Sequence, residues 1–266
     1  MAYLLNKKAG TSTTPKAAAG CQPPPVWEVH HKREVVSTQA IAKGLPAWSV
    51  VVADAQTHGR GQYDRTFTSD VGGLYLTAVL PFDGDVARSR GFALAVGWSI
   101  LKELRTLGLK TARLRWPNDL MVGKRKVGGI LVEQASATTV LVGFGLNVTN
   151  APWSVDARLS DSAGRLQDYP ELRVREAGQL LAPILTAIRR AQDDFGRLGL
   201  AGLTHELNRS WGEPHAVELE LVGDEEPHVA RGFFLGIDAR GCLLLHGTAG
   251  AVIRVPEHHI RRLREV

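Results

Sequence analysis

The chain has 266 residues, of which 44% are hydrophobic and 22% are charged. This composition is typical of a folded globular protein and excludes a disordered or collagen-like chain, while the length fits one large domain or a large and a small one. The formal net charge of +5 indicates solubility more than a dedicated acidic partner, and apolar runs such as Leu74–Leu80 are too short to cross a membrane.

The N-terminal residues 1–26 are rich in Ala, Gly, Thr, Lys and Pro and lack the apolar content needed to fold alone. We predict a disordered tail here, without the hydrophobic segment that an export signal requires. Cys21 and Cys242 match no metal or redox spacing, which favours a reducing compartment. These features together predict a cytoplasmic protein.

Short β-branched or aromatic runs and helical stretches follow over residues 27–209, the predicted main domain. Its predicted strands are Ser49–Ala53, Leu74–Leu80, Ala112–Trp116, Val127–Glu133 and Thr139–Leu146. Helices are predicted over Ser89–Leu107 and Glu176–Phe195, with Pro183 either kinking the second helix or marking its first turn. The mixed order favours an α+β sheet with helices on one face.

Alternating strand patterns define a second predicted domain, residues 210–266. Its strands are predicted over Ala216–Val222, Ala230–Ile237 and Gly241–His246, with a hairpin turn from Asp238 to Gly241. We predict a small β-barrel, and a unit of this size needs contact with a neighbouring domain for stability.

An arginine between two glycines, Gly59-Arg60-Gly61, follows the first predicted strand. The glycines allow close approach of the backbone to an anion, and Arg60 and Arg65 can bind phosphate or carboxylate oxygens in bidentate geometry. A solvated loop with two arginines explains the segment equally well, because a Gly-x-Gly pair is weak evidence.

A turn signature, Pro117-Asn118-Asp119, precedes the basic cluster Lys124-Arg125-Lys126 and the glycines Gly128 and Gly129. The cluster is typical of a hairpin tip with solvated lysines. The functional alternative is that Lys126 points its ammonium into a cleft that the two glycines leave open.

A third segment, Gly143–Asn147, ends an apolar strand. It is no dinucleotide fingerprint, because the third glycine is missing and no helix pattern follows. We expect a tight strand exit, in which Asn147 hydrogen-bonds neighbouring loops. The sequence also has no P-loop, His-Glu-x-x-His or Gly-x-Ser-x-Gly motif.

Taken together, four segments resemble, in order, the catalytic domain of biotin protein ligases. They are Ser37-Thr38-Gln39, Gln56 with Gly59-Arg60-Gly61, Arg115–Asp119 with Lys126 and Gly129, and Gly145-Leu146-Asn147. The likeness runs from Val35 to the end, since the predicted barrel is similar to the family's SH3-like C-terminal domain. It implies a mixed, mainly antiparallel sheet with helices, as in class II synthetases, and a monofunctional ligase without an N-terminal DNA-binding domain.

The resemblance implies ATP-dependent attachment of biotin to a lysine of the biotin carboxyl carrier domain of a carboxylase, through biotinyl-5′-AMP. Mg²⁺ is expected with the nucleotide, held by phosphate oxygens and water rather than by a protein cage. Neither nucleic acid nor a membrane is implied as a partner, and a homodimer is possible.

By the same resemblance, Lys126, Arg60 and Asp119 would be catalytic, with Asp119 beside the incoming lysine amine. The biotin site would comprise Ser37, Thr38, Gln39, Gln56, Gly59, Gly61, Gly129 and Leu131. The nucleotide would contact Arg60, Arg65, Asn118, Lys126 and Asn147.

The glycine–arginine loop departs from the family pattern at Gln62 and Asp64, where relatives carry more arginine and glycine, so we expect it to bind the intermediate less tightly. Gln39 also stands where the family commonly has Asn. Two alternatives stay open: a lipoate ligase or lipoyl transferase, which shares the fold, and a biotin-binding relative that has lost ligation.

Overall fold

The computed structural model describes residues 25–82, 91–222, 228–247 and 250–266 of the chain. The predicted tail up to residue 24, including Cys21, lies outside the described residues, as does the start of the first predicted helix at Ser89. The described residues form a seven-stranded and a five-stranded sheet.

The larger sheet has the strand order β1-β2-β3-β7-β6-β5-β4. Its strands are β1 (Glu28–Val35), β2 (Ser49–Gln56), β3 (Leu74–Pro81), β4 (Ala112–Arg115), β5 (Asp119–Val122), β6 (Arg125–Gln134) and β7 (Thr139–Leu146). β1 and β2 are parallel, and the other neighbours are antiparallel. The expected α+β fold with a mixed, mainly antiparallel sheet is confirmed.

Sequence patterns located five of these strands and missed β1 and β5. Most β1 residues are exposed because this strand is an edge of the sheet, so its sequence lacks the alternation that predicts a half-buried strand. β5 comprises only Asp119–Val122, between the Pro117-Asn118 turn and the hairpin to β6. Lys124 lies at that hairpin tip, as predicted.

Three helices are described: α1 (Thr38–Ala42), α2 (Phe92–Thr106) and α3 (Ala177–Trp211). The second predicted helix therefore continues well beyond Phe195. Pro183 lies inside α3, so the alternative of a first-turn position was wrong, whereas a kink at Pro183 stays a prediction. Non-helical backbone occurs within α3 at Gly199, where φ is +61°. The predicted domain boundary after residue 209 stays a prediction and falls just before the end of α3.

The two faces of the larger sheet have different coverings. One face contributes residues such as Leu76, Ile130 and Phe144 to the main apolar core, against α2 and α3. The short α1 packs instead on the opposite face, where Ala42 contacts a small cluster that includes Val79. The expectation that the helices share one face thus holds for α2 and α3 but not for α1. Beyond α1, that opposite face is available for a binding site.

The smaller sheet is antiparallel throughout, with the order β11-β10-β9-β8-β12. Its strands are β8 (His215–Leu221), β9 (His228–Ile237), β10 (Leu243–Gly247), β11 (Val252–Val255) and β12 (Ile260–Glu265). This arrangement is consistent with the expected SH3-like domain. The predicted turn at Asp238–Gly241 joins β9 to β10, and the Asp238 carboxylate accepts hydrogen bonds from two backbone amides of that turn.

The smaller sheet is tied closely to the larger unit. Its buried side chains, including Phe234 and Leu245, belong to the same apolar cluster as the main core. The Arg113 guanidinium also donates to both carboxylate oxygens of Glu265, at 2.6 and 2.5 Å. Because a small sheet buries too little apolar surface alone, this shared core supplies the contact that it needs.

Candidate active site

A strip of glycines, which we call the furrow, lies on the open face of the larger sheet. Its floor consists of Gly129 on β6 with Gly143 and Gly145 on β7, and Gly129 pairs directly with Gly145. The two rows of the floor continue onto β3, where Tyr75 pairs with Gly145 and Thr77 with Gly143. Directly paired residues in a sheet share a face, so these five residues line one surface.

Two side chains approach the furrow so closely that a Cβ atom at the glycine beneath would displace them. A Cβ atom at Gly143 would lie 2.6 Å from Gln39 Oε1, and one at Gly145 would lie 2.6 Å from the Phe67 ring. The Phe67 ring also meets the Tyr75 ring edge to face, with centroids 6.4 Å apart. Gln39 and Phe67 therefore mark two sides of the furrow.

A network of hydroxyl and amide groups lies where α1 meets the sheet. Gln56 Oε1 accepts hydrogen bonds from Thr38 N at 2.8 Å and from Thr38 Oγ1 at 3.1 Å, and Gln56 Nε2 donates to Ser69 Oγ at 2.9 Å. Thr77 Oγ1 lies 2.9 Å from Thr38 Oγ1 and 3.0 Å from Gln39 Oε1. The structure thus brings together the predicted residues Thr38, Gln39 and Gln56.

One donor in this network is buried and unpaired. Gln39 is only 5% exposed, and its Nε2 has no hydrogen-bond partner among the described residues. Such an orphaned group costs about 1–3 kcal/mol, so the site fits a ligand that supplies an acceptor there. Ser37, 3% exposed, begins α1 beside it without a side-chain capping bond.

Charged groups cluster at the other end of the furrow, around Asp119. The Lys126 ammonium contacts Asp119 Oδ1, and Arg115 Nη2 lies 2.6 Å from Asp119 Oδ2. Burial favours a raised pKa for Asp119, but the two neighbouring cations more than offset this and hold the pKa below its usual value. The Lys126 ammonium also lies 5.9 Å from the centre of the Phe67 ring. The Lys126 ammonium therefore borders the furrow.

Asn118 and Asn147 both make framework hydrogen bonds in this structure. Asn118 Nδ2 donates to the Ile130 carbonyl at 2.6 Å, and the Ile130 amide donates to the Asn118 carbonyl at 3.0 Å. Asn147 Nδ2 donates to the Gly164 carbonyl at 3.0 Å. These bonds fix the turn before β5 and the exit from β7, which is the bracing expected from the sequence. Their predicted nucleotide contacts stay predictions.

The predicted anion-binding loop covers one side of the furrow. A Cβ atom at Gly59 would lie 2.3 Å from the Phe67 carbonyl and 2.5 Å from Ser69 Oγ, so only glycine fits. Arg60 Nη2 lies 3.7 Å from Glu133 Oε1 on β6, on the furrow side of the sheet. Glycine at position 59 thus allows the loop to fold back on itself and place Arg60 beside the furrow.

The structure says less about the roles of three other predicted site residues, Gly61, Leu131 and Arg65. A Cβ atom at Gly61 would make only ordinary contacts, with Arg65, and Leu131 pairs with Gly143 on the furrow floor. Arg65 does not join the other predicted groups in this structure, since its guanidinium donates to the Arg261 carbonyl on β12. Its predicted contact with a nucleotide stays a prediction.

Sequence reasoning did not identify Thr77, Ser69 and Phe67 as site residues. Thr77 lies in the run Leu74–Leu80, where a buried hydroxyl among aliphatic residues is a signal that could have identified it. Ser69 and Phe67 gave no comparable signal, because they reach the site through the fold of the loop.

Two arginines of β12 form ion pairs with acidic residues of the neighbouring strand β8. Arg261 lies 3.5 Å from Glu220, and Arg264 lies 3.9 Å from Glu218, which also pairs with Arg231 at 2.9 Å. These exposed pairs are typical of a solvated charged face.

Neither a metal cage nor a membrane helix occurs in the part of the chain that the structure describes. No group of three or more His, Cys, Asp or Glu side chains there could hold a metal ion. No described helix has both the length and the apolar character needed to span a bilayer.

Comparisons with known proteins point to one family. The family model described as "Biotin/lipoate A/B protein ligase family" matches residues 30–147. The bifunctional ligase/repressor BirA of Escherichia coli is 30% identical over 215 residues, which cover 76% of this chain and 62% of that protein. A biotin--[acetyl-CoA-carboxylase] ligase of Paracoccus denitrificans is 29% identical over 224 residues, covering 79% of this chain and 89% of the relative. The chain thus spans less than two thirds of the length of the E. coli relative.

Solved structures show the same fold. Biotin protein ligase from Aquifex aeolicus, determined with biotin and ATP, has a TM-score of 0.76 and 24% identity, covering 90% of this chain and 99% of its own. Biotin protein ligase from Leishmania major, determined with biotinyl-5-AMP, has a TM-score of 0.59 and 23% identity, covering 88% and 99%. At these identities, both below 25%, the likeness establishes the fold alone.

Proposed function

We propose that the chain attaches biotin to a lysine of a carboxylase carrier domain with consumption of ATP, since its residues 30–147 match the model of the biotin/lipoate A/B protein ligase family. The observation that carries the proposal is the furrow itself. A buried, unpaired Gln39 amide stands at one end, and the Lys126–Asp119–Arg115 cluster stands at the other. One end suits a neutral polar ring and the other suits an anionic junction.

The first step joins the biotin carboxylate to the α-phosphorus of ATP. A carboxylate oxygen forms the new bond to phosphorus while the bond to pyrophosphate breaks, which gives biotinyl-5′-AMP. Negative charge concentrates at the junction, so fixed cations are needed more than an acid or a base. Lys126 provides one such cation at the furrow, and Arg60 would provide a second from the loop.

The polar end of the furrow suits the ureido ring of biotin. That ring has two N–H donors and one carbonyl acceptor, each of which must find a partner when buried. Gln39 Nε2 would donate to the carbonyl, and the hydroxyl groups of Ser37 and Thr38 would accept from the ring. The network around Gln56 holds Thr38 in place for this role.

The second step transfers the biotinyl group to the carrier lysine. Its neutral amine nitrogen attacks the carbonyl carbon of the mixed anhydride, the bond to the phosphate oxygen breaks so that AMP leaves, and the nitrogen loses a proton to water. Asp119 is ionised at neutral pH because the cations beside it lower its pKa. Its carboxylate would accept a hydrogen bond from the incoming amine and so orient the amine for attack.

The described residues do not fit a dedicated magnesium cage. Asp119, the acid at the furrow, is already paired with two cations. Mg²⁺ would therefore arrive on the phosphates of ATP and screen their charge, with water as its other ligands.

The carrier domain, the compartment and the assembly state belong to the same proposal. A carboxylase carrier domain is the partner that the reaction requires, and cysteines without a disulfide pattern support the cytoplasm. A homodimer stays a prediction.

Lipoate is the main competing substrate, because lipoate and biotin ligases share this family model. Its dithiolane ring has neither an N–H donor nor a carbonyl. Binding lipoate would leave Gln39 Nε2 unpaired, whereas biotin would satisfy it. The buried polar end therefore favours biotin.

Incubation of the protein with ATP, Mg²⁺, biotin and a biotin carboxyl carrier domain tests the proposal. We expect mass spectrometry to find one biotin adduct, on a carrier lysine, and an excess of lipoate not to reduce it. Preferential lipoate transfer would establish the competing function. Binding of biotin without any adenylate or adduct would instead identify a non-catalytic relative.

A further inference from the structure

The loop over the furrow is bonded to the C-terminal sheet through residues far away in sequence. Gln62 Nε2 donates to Glu257 Oε1 at 2.8 Å, and the Tyr63 hydroxyl donates to the Ile260 carbonyl at 2.7 Å. The same hydroxyl lies 3.2 Å from the Glu257 carbonyl. We call the contacts of Gln62, Tyr63 and Arg65 with Glu257, Ile260 and Arg261 the latch.

The backbone at Tyr63 shows that the latch acts on the conformation of the loop. Tyr63 has φ +56° and ψ +40°, in the left-handed region that a bulky side chain rarely adopts. Such a conformation persists only where surrounding contacts compensate for it. The hydroxyl bond to Ile260 and the Gln62–Glu257 bond on the preceding residue are contacts of that kind.

The latched turn is connected directly to the part of the loop that covers the furrow. The Gly61 amide donates to the Arg65 carbonyl at 2.8 Å, which closes the turn around Tyr63. The Phe67 amide donates to the Gly59 carbonyl at 2.8 Å, and the Phe67 ring lies over Gly145. A turn held at Tyr63 therefore holds Phe67 over the furrow floor.

The side chains of Gln62 and Tyr63 are neutral and cannot themselves neutralise a phosphate. Both are directed instead at acceptors on the C-terminal sheet, and Arg65 is directed there too. Their placement thus favours a role in holding the loop over a role in binding the anion. Holding a loop in advance strengthens ligand binding by reducing the ordering cost.

We propose that Tyr63 and Glu257 are positioning residues, through which the C-terminal sheet holds the loop over the furrow and slows the release of the acyl-adenylate. The inference rests on the proposed function for the identity of the ligand. The latch is a property of the unliganded protein, so the latch and the proposed function can fail separately.

The test compares three variants with the wild-type chain. Tyr63→Phe removes the latch hydroxyl and keeps the ring, and Glu257→Ala removes the oxygen that accepts from Gln62. Arg254→Gln, the control, removes an ion pair with Asp238 on the C-terminal sheet, away from the loop. Two quantities are measured: hydrogen exchange of the Gly61 and Phe67 amides without ligand, and the rate of biotinyl-AMP release in single turnover.

We expect Tyr63→Phe to accelerate both exchange and adenylate release about fivefold, which corresponds to one hydrogen bond of ordinary strength. KM for biotin should rise by a similar factor with kcat unchanged. Glu257→Ala should change exchange and release in the same direction, whereas Arg254→Gln should resemble the wild type.

Unchanged amide exchange in Tyr63→Phe would overturn the latch, whatever the activity. Faster exchange with unchanged adenylate release would overturn the positioning role. If wild-type protein forms no biotinyl-AMP, the proposed function and the retention role both fail, while faster exchange would still establish the latch as a contact that holds the loop.

Discussion

The Lys126 ammonium and the Asp119 carboxylate are in direct contact across the neighbouring strands β6 and β5, beside the glycine floor of the furrow. This contact places a cation that can attract an anionic group directly beside a carboxylate that can accept a hydrogen bond. In the proposed reaction Lys126 serves adenylate formation, and Asp119 serves transfer to the carrier lysine. Separate substitutions should therefore affect separate steps.

Replacing Lys126 with alanine should reduce biotinyl-AMP formation by about 10²–10³-fold, the usual cost of losing one fixed group that stabilises developing charge. The measurement is single-turnover formation of the adenylate from biotin and ATP. Lys124→Ala is the matched control, since Lys124 is exposed on the tip of the same hairpin. Equal activity of the two variants would contradict the role of Lys126.

Asp119→Asn should slow transfer from preformed biotinyl-AMP to the carrier by about 10²-fold, as for the loss of a group that orients the attacking amine. The change keeps the shape of the side chain and removes its charge. Asp156→Asn provides a control, because the Asp156–Arg158 pair lies on a short turn outside the furrow. Transfer at the wild-type rate would show that Asp119 serves only to hold Lys126 and Arg115.

Gly143→Ala should weaken biotin binding without unfolding the protein. The added methyl group would lie 2.6 Å from Gln39 Oε1, at the end of a side chain that can move, so the pocket changes while the sheet persists. We expect KM for biotin to rise at least tenfold, since about 1.4 kcal/mol of lost binding produces that change. Gly178→Ala, in open space on α3, should leave KM unchanged. A normal KM in Gly143→Ala would place biotin elsewhere.

Glu257 should make stability dependent on pH. Burial raises its pKa, although the hydrogen bond from Gln62 acts in the opposite direction. A carboxyl whose pKa is higher folded than unfolded contributes most below its unfolded value, and that contribution is lost as pH rises through the folded value.

Thermal unfolding of the wild type and Glu257→Gln between about pH 4 and pH 7 measures this effect. The variant should gain stability relative to the wild type as pH rises, because it has no charge to bury. Glu213→Gln, at an exposed position, controls for the substitution itself. A difference that does not change with pH would contradict the assignment to Glu257.

Local sequence patterns were sufficient to predict the bounds of a strand that is buried on both faces. Thr139–Leu146 was predicted with the bounds that β7 has, because it is a central strand of apolar residues. The edge strand β1 was missed, since residues exposed to water carry no pattern of burial. The charged end of the furrow was predicted better, because Asp119 and Lys126 flank a short hairpin whose turn residues are recognisable.

The contacts between distant segments could not be predicted in this way. The Tyr63 hydroxyl donates to the Ile260 carbonyl, although the chain between these two residues includes strands of both sheets and all of α3. Thr77 was likewise predicted only as part of the strand Leu74–Leu80, although its hydroxyl joins Thr38 and Gln39 in the polar pocket. In each case the partner is set by the packing of the whole chain rather than by the neighbouring residues.

The exchange of labelled pyrophosphate into ATP tests the central claim most directly, because it requires reversible formation of the acyl-adenylate and no carrier protein. We predict exchange that depends on biotin, is not supported by lipoate, and is lost in Lys126→Ala but kept in Lys124→Ala. Exchange without biotin, no exchange with it, or full exchange in Lys126→Ala would contradict the account.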